Sequence, residues 1–233
     1  MYSFKSRIRY SEVDRQCFLT LDKLIDYFQD CSTFHSESIG FGVEWLAERQ
    51  QCWMLTAWQI VIDRMPKLGE EVTVSTWPYG FRGINGTRNF QMTDENGEYI
   101  ARADSQWVFV DLTTGHPTRL SQELLDGYKL EEKMEIPCDS KRIRMPEGCE
   151  ERPHYLVRKD QIDSNHHVNN GQYVKMALEE IPENIQIHQM RAEYRRQAVL
   201  GDGIFPKVKH EGEVWTVFLC NEEGKPYSTV EIC

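Results

Sequence analysis

Apolar residues in this chain recur first at helical spacing and then at strand spacing. Leu21, Leu24, Ile25 and Phe28 stand three and four positions apart behind Thr20, a residue suited to capping a helix start. The pattern continues through Cys31 and His35 until Gly40 and Gly42 break it, which predicts one long helix. A second, short helix is predicted over residues 43–50. Strand-like stretches follow at 53–63, 71–79, 87–94 and 99–111, with turn signals at Glu95-Asn96-Gly97 and between Phe81 and Gly86. The last stretch ends in Trp107-Val108-Phe109-Val110-Asp111, largely apolar, as a strand covered on both faces would be. Residues 121–152 are charged and carry Pro137, Pro146 and Gly148, which predicts a linker with one short helix around 122–128. A further helix is predicted from Asn169 or Asn170 to Glu180, stopped by Pro182, then a strand over 185–196 and two or three more. Each half is thus one helix with an antiparallel sheet, an α+β fold.

The two halves echo one another. Arg9-Tyr10-Ser11-Glu12-Val13-Asp14 precedes the first helix, and Arg158-Lys159-Asp160-Gln161-Ile162-Asp163 precedes the later one. The aspartates stand 149 positions apart, 163 less 14. Leu68-Gly69-Glu70-Glu71-Val72 is echoed by Leu200-Gly201-Asp202-Gly203-Ile204, and Glu95-Asn96-Gly97 by Glu222-Glu223-Gly224. Three echoes in one order indicate a duplicated domain. The expected organisation is an N-terminal domain over 1–120, a linker over 121–152 and a C-terminal domain over 153–233.

Composition narrows the function. Over 233 residues, 40% are hydrophobic and 27% charged, the balance of a globular chain. No run approaches the roughly 18 apolar residues of a membrane span, and the first residues carry no apolar core of a signal peptide. Seven scattered cysteines without a C-x-x-C pair indicate neither a disulfide framework nor a zinc ribbon, so a reducing cytoplasm is the expected setting. Lys and Arg total 27 against 37 Asp and Glu, a net charge of −10, which argues against a nucleic-acid binder.

Candidate chemistry concentrates between the expected strand and helix of the second half, in Asp163-Ser164-Asn165-His166-His167-Val168-Asn169-Asn170. A histidine exchanges protons near neutral pH, neighbouring carboxylate and amide groups can orient it or hold a water, and a helix start can polarise a carbonyl oxygen. The bland alternative is a polar loop with Asn169 as a helix cap. The duplication favours chemistry, because the first half has Arg15, Gln16, Cys17 and Phe18 where the second has Ser164, Asn165, His166 and His167. His166, His167 and Asp163 make a poor metal set, since adjacent histidines rarely address one ion. His35, His116, His154, His188 and His210 stand alone. Gly80, Gly83 and Gly86 open no helix and form no phosphate loop.

Asp163-x-Asn165-x-His167-Val168-Asn169-Asn170-x-x-Tyr173, followed by Glu193-Tyr194-Arg195-Arg196, resembles the signature of the acyl-ACP thioesterases in their bacterial form. Tyr10-x-Glu12-Val13-Asp14, Thr76-Trp77-Pro78 and Ser105-x-Trp107-Val108 with Asp111 are similar to the same family, so the resemblance runs from Tyr10 to about Gly224. It implies two tandem hotdog domains, each a long helix wrapped by an antiparallel sheet, the first holding the acyl chain and the second the catalytic motif. The implied reaction is hydrolysis of the thioester between a fatty acyl chain and acyl carrier protein, without cofactor or metal. The family's catalytic positions fall on Asp163, Asn165 and His167. The family also places a glutamate, often followed by a cysteine, directly after Tyr-Arg-Arg, where this chain has Gln197 and Ala198. Ala198 excludes a cysteine nucleophile there, and Gln197 can hold a water but cannot take its proton. His167 is then the expected base, with Asp163 as orienter or second carboxylate and Asn165 positioning the water or the thioester.

The resemblance also implies a partner, acyl carrier protein bearing its acyl group on phosphopantetheine. Its acidity calls for a basic surface, for which Arg142, Arg144, Arg191, Arg195, Arg196, Lys207 and Lys209 are available. Neither nucleic acid nor membrane insertion is expected, and a homodimer stays open. Phe28, Phe34, Trp45, Trp53 and Trp58 read as core, with some of them lining an acyl tunnel. Two alternatives remain: a thioesterase for coenzyme A esters, and a hotdog protein that binds acyl thioesters without turnover. The intact Asp163–Asn165–His167 set argues against the second.

Overall fold

Met1 is followed by a strand that alternates half-buried and exposed positions, β1 (Tyr2–Arg7), as an edge strand over a one-sided core must. These positions belong to a computed structural model that describes residues 1–137, 142–163, 165–183 and 185–233. Residues 138–141 of the expected linker and Ser164 of the polar loop lie outside the described residues.

The helical pattern forms α1 (Leu21–Ser38), which buries Leu21, Leu24, Ile25, Phe28 and Cys31 on one side. Thr20 stands at its N-cap, but its hydroxyl bonds the Glu12 carbonyl at 3.4 Å rather than the helix. Helix α2 (Val43–Glu48) follows, then strands β2 (Gln51–Ile62), β3 (Glu71–Arg82), β4 (Asn85–Thr93), β5 (Tyr99–Asp111) and the short β6 (His116–Pro117). The antiparallel order is β1-β3-β4-β5-β2. Helix α1 lies against β3. Phe28 from the helix meets Trp58 and Phe90 from the sheet, with ring centroids 6.0 and 5.3 Å away. Helix α3 (Gln122–Gly127), capped by Ser121, sends Leu124 into a cluster with Phe41, Phe109 and Tyr128. The Trp77 indole N–H donates to the Glu132 carbonyl and Met134 N–H to the Asn89 side chain, both at 2.8 Å. The stretch from Ser121 to Pro137 therefore packs within the first compact unit, Met1–Pro137.

The second unit, Cys138–Cys233, carries the short strands β7 (Glu150–Glu151) and β8 (Tyr155–Leu156), then helix α4 (Asn170–Glu179). Strands β9 (Gln189–Tyr194), β10 (Gly203–Glu211), β11 (Val214–Cys220) and β12 (Pro226–Ile232) complete it. Its antiparallel order is β9-β12-β11-β10-β7, with β8 on another stretch of β10. Helix α4 lies against β11 and β12 and is ten residues long against eighteen in α1. Pro182 ends it early because the ring allows no further turn. β9 is shorter than the sequence predicts, since Arg195 and Arg196 both donate their N–H to Tyr227 and leave the ladder.

The duplication extends to individual bonds. Ile8 N–H donates to Glu70 at 3.0 Å and Val157 N–H to Asp202 at 2.9 Å; Gly69 N–H returns to Ile8 and Gly201 N–H to Val157. Both glycines hold a left-handed φ, +83° and +87°, which explains the repeated Leu-Gly pair. Lys67 N–H bonds the Glu70 carboxylate and Val199 N–H the Asp202 carboxylate, each at 3.0 Å.

Inside the first unit, His35 of α1 meets Arg88 of β4, with Nδ1 2.9 Å from the guanidinium. An arginine only donates, so this nitrogen accepts and the ring is neutral. Burial first, and then the Arg88 charge, pull the His35 pKa down to about 4. In the unfolded chain the imidazole returns to about 6.5, so the unfolded state binds more protons between those values. Stability therefore falls as pH drops through that window, by about 3 kcal/mol over its whole width. Denaturant unfolding at pH 7 and pH 5 should show a larger loss for the wild-type chain than for His35→Gln. Equal losses would remove His35 as the source.

Candidate active site

The polar loop is a closed hairpin fastened by one side chain. Ile162 and Val168 form a bridge across it, Asp163 N–H donates to the His167 carbonyl at 2.8 Å, and His166 N–H donates back to Asp163 at 3.1 Å. Asp163 Oδ1 accepts from the backbone N–H of Asn165 at 2.8 Å and of His167 at 3.3 Å. His166 takes a left-handed φ of +63°, uncommon for a residue with a Cβ and imposed here by these bonds. The loop leaves by a bond from Val168 N–H to the Ala198 carbonyl at 2.9 Å. Asn169 then caps α4, its side-chain oxygen accepting from Gly171 N–H at 2.8 Å.

The first half contains the same loop with different side chains. Asp14 Oδ1 accepts from Gln16 and Phe18 N–H at 2.9 and 3.0 Å, and Asp14 N–H donates to the Phe18 carbonyl. Cys17 takes φ +65°, Val13 bridges Leu19, and Leu19 N–H docks on the Pro66 carbonyl at 2.9 Å. The aspartate, the left-handed residue and the docking bond therefore belong to the fold. What the second half adds is Asn165, His166 and His167 in place of Gln16, Cys17 and Phe18.

The loop brings Asp163, Asn165 and His167 together. Asp163 holds the main chain of His167 rather than its ring. The imidazole is half-buried, and its Nδ1 is shielded from solvent with no hydrogen-bond partner among the described residues. Asn165 and His166 are exposed. Gln197 is exposed too, and among the described residues its side chain bonds neither Asp163 nor His167; it joins the site through its neighbour Ala198. No group of three metal-binding side chains occurs among the described residues.

Sequence reasoning gave Tyr173 no role beyond its place in the motif. Its hydroxyl accepts the Ala198 N–H at 2.9 Å from the first turn of α4, and burial raises its pKa. The available signal was a tyrosine where the first-half helix has Leu24.

Each unit, an antiparallel sheet with a helix against it, has the hotdog fold, which defines the chain as a tandem hotdog protein. The N-terminal domain model of acyl-ACP thioesterases matches residues 1–128, and the C-terminal domain model matches residues 146–232. The chain belongs to the acyl-ACP thioesterase family. It is 26% identical over 222 residues to oleoyl-acyl carrier protein thioesterase 1 of Arabidopsis thaliana, covering 86% of this chain and 61% of that one. It is 26% identical over 215 residues to palmitoyl-acyl carrier protein thioesterase of Gossypium hirsutum, covering 84% and 52%. The chain thus spans about half to three-fifths of the length of these curated relatives. An acyl-ACP thioesterase structure from Bacteroides thetaiotaomicron superposes with a TM-score of 0.90 at 24% identity, covering 99% of this chain and 96% of that one. The 12:0-ACP thioesterase from Umbellularia californica gives 0.87 at 20% identity, covering 99% and 95%.

If Asp163 builds the loop through Oδ1, an amide in its place keeps both backbone bonds. Asp163→Asn should unfold within about 1 kcal/mol of wild type, whereas Asp163→Ala and Asp14→Ala, which orphan two N–H groups, should each lose about 1–3 kcal/mol. Chemical denaturation decides it; an Asp163→Asn loss as large as that of Asp163→Ala would mean the charge, not the acceptor, holds the loop.

Proposed function

We propose that this chain hydrolyses the thioester of acyl-acyl carrier protein and releases free fatty acid. One observation carries the reading: two loops share a backbone and each displays an amide, Gln16 or Asn165, but only the second displays an imidazole. Family membership supports the substrate class, as do the names of the curated relatives.

In this mechanism His167 takes a proton from a water as the water oxygen attacks the thioester carbonyl. Because Nδ1 is shielded, Nε2 is the working nitrogen. Asn165 and the start of α4 stabilise the oxyanion of the tetrahedral intermediate. Its collapse breaks the carbon–sulfur bond, and protonated His167 returns the proton to the leaving thiolate. Asp163 sets the backbone position of His167, and Gln197 holds the water without deprotonating it. The first unit receives the acyl chain and the second carries out hydrolysis, in a cytoplasmic setting.

The carrier surface is narrower than a count of cations suggests. Arg191 pairs with Glu231 at 2.9 Å, Arg195 with Glu193 at 2.7 Å, Lys207 with Glu151 at 2.9 Å and Lys209 with Glu211 at 3.5 Å. Arg142, Arg144 and Arg196 are exposed and form no ion pair among the described residues, and Lys159, beside the loop, joins them. These four meet the acidic carrier.

The test is purified protein with acyl-acyl carrier proteins and acyl-coenzyme A esters of several chain lengths, scored for released thiol. Carrier substrates should turn over faster, and at low substrate their rate should fall as salt rises, while that of a small thioester stays level. Faster turnover of coenzyme A esters would reassign the substrate, and none of either would leave a binding protein. His167→Ala should lose about 10²–10⁴-fold in rate, and His166→Ala far less. Wild-type turnover by a folded His167→Ala variant would remove it as the base.

A further inference from the structure

The two loops dock on neighbouring connecting segments by the same backbone bond, but what lies behind that bond differs. In the second half Val168 N–H donates to Ala198, and Ala198 in turn donates its own N–H to the Tyr173 hydroxyl. In the first half Leu19 N–H donates to Pro66, which has no N–H to give. The residue placed as Tyr173 is there Leu24: Leu24 N–H bonds Thr20 at 3.0 Å, as Tyr173 N–H bonds Asn169 at 3.4 Å. Pro66 goes with Leu24, and Ala198 goes with Tyr173. The fold is complete with the apolar pair, so it does not require the polar one.

The polar pair also leaves a hydrogen unspent. Tyr173 is 2% exposed, and its hydroxyl oxygen accepts from Ala198. For the hydroxyl proton there is no acceptor among the described residues. Asp163, Asp202 and Tyr227 are its electrostatic neighbours, and among the described residues of the loop Asp163 bonds through Oδ1 alone. A buried donor without an acceptor costs about 1–3 kcal/mol, so one that persists calls for an explanation. Ala198, which fixes this hydroxyl, is the residue after Gln197.

We infer that Tyr173 is a positioning residue of the hydrolytic site. Its hydroxyl, fixed by the Ala198 N–H, donates its proton to the water held between the Asp163 loop and Gln197. The inference rests on the hydrolytic reading above and adds a third group to the water's site. Burial keeps the phenol protonated, so it remains a donor across the working pH range.

The experiment compares Tyr173→Phe, Gln197→Ala, the double variant Tyr173→Leu with Ala198→Pro, and Tyr173→Phe combined with Gln197→Ala. Each is measured for melting temperature and for kcat and KM on one acyl-acyl carrier protein. Tyr173→Phe should lower kcat about tenfold or more with little change in KM, and should melt earlier because Ala198 N–H loses its acceptor. The double variant installs the pair already used in the first half. Its melting temperature should return toward wild type while kcat stays low. Adding Gln197→Ala to Tyr173→Phe should lower kcat less than the product of the two single losses, since both address one water. Recovery of wild-type kcat in the double variant would overturn the inference, leaving Tyr173 as a structural acceptor only. So would wild-type kcat in Tyr173→Phe, or fully multiplicative losses with Gln197→Ala. A wild-type chain inactive on every thioester would overturn the hydrolytic reading and this inference with it; an active wild type with a restored double variant would overturn this inference alone.

Discussion

One carboxylate oxygen bonded to two backbone N–H groups sets the geometry on which the rest of the site depends. Asp163 Oδ1 closes the turn, holds His166 in a left-handed conformation and fixes the main chain of His167. Each charge-assisted bond of this kind contributes more than a neutral one, and together they offset the strain of the left-handed residue. Because the cap acts on backbone, it places no demand on the side chains at the following positions. The same cap in the first half carries Gln16, Cys17 and Phe18 without loss of form. Shape and chemistry are thus specified by different residues of one short segment.

The same separation governs the segment after β9 that meets the loop. Val168 docks on the carbonyl of Ala198, a bond indifferent to the side chain there, so alanine can occupy the position where the family often has cysteine. Ala198 is fully buried, and a small apolar group suits that environment. Gln197 faces solvent and is free of packing demands. Replacing a carboxylate by an amide at that place changes what the site can do with a proton, not whether it folds. In the proposed mechanism, that moves the burden of proton transfer onto the histidine.

Much of this was legible in the sequence because its causes are local. The helical spacing from Leu21 to Cys31, the Asn169 cap and the Pro182 stop each act within a few residues, and the corresponding elements formed where expected. Repeated Leu-Gly pairs marked left-handed turns that only glycine enters easily. What stayed hidden depends on partners distant in sequence. Tyr173 at a buried helical position reads as core until its hydroxyl is found on Ala198, twenty-five residues away. Leu124 and Trp77 sit in elements that were predicted, but the contacts by which they anchor the start of the expected linker, Leu124 on Phe41 and Phe109 and the Trp77 indole on the Glu132 carbonyl, join residues far apart in the chain. Two of the cations on the sequence's basic list, Arg191 and Lys207, pair with glutamates that only the sheet register brings near.

The duplicated fold also lets the cost of the side chains be compared between its two loops. Asn165, His166 and Gln197 are exposed, and polar side chains there carry no desolvation penalty. Behind the loop, and among the described residues, the shielded Nδ1 of His167 has no hydrogen-bond partner and the Tyr173 hydroxyl proton has no acceptor. Both occupy positions where the first half has Phe18 and Leu24, residues that bury no polar atom. A protein selected for stability alone would carry the apolar pair in both halves. In the proposed hydrolytic site both side chains address the attacking water, a use that would offset their cost.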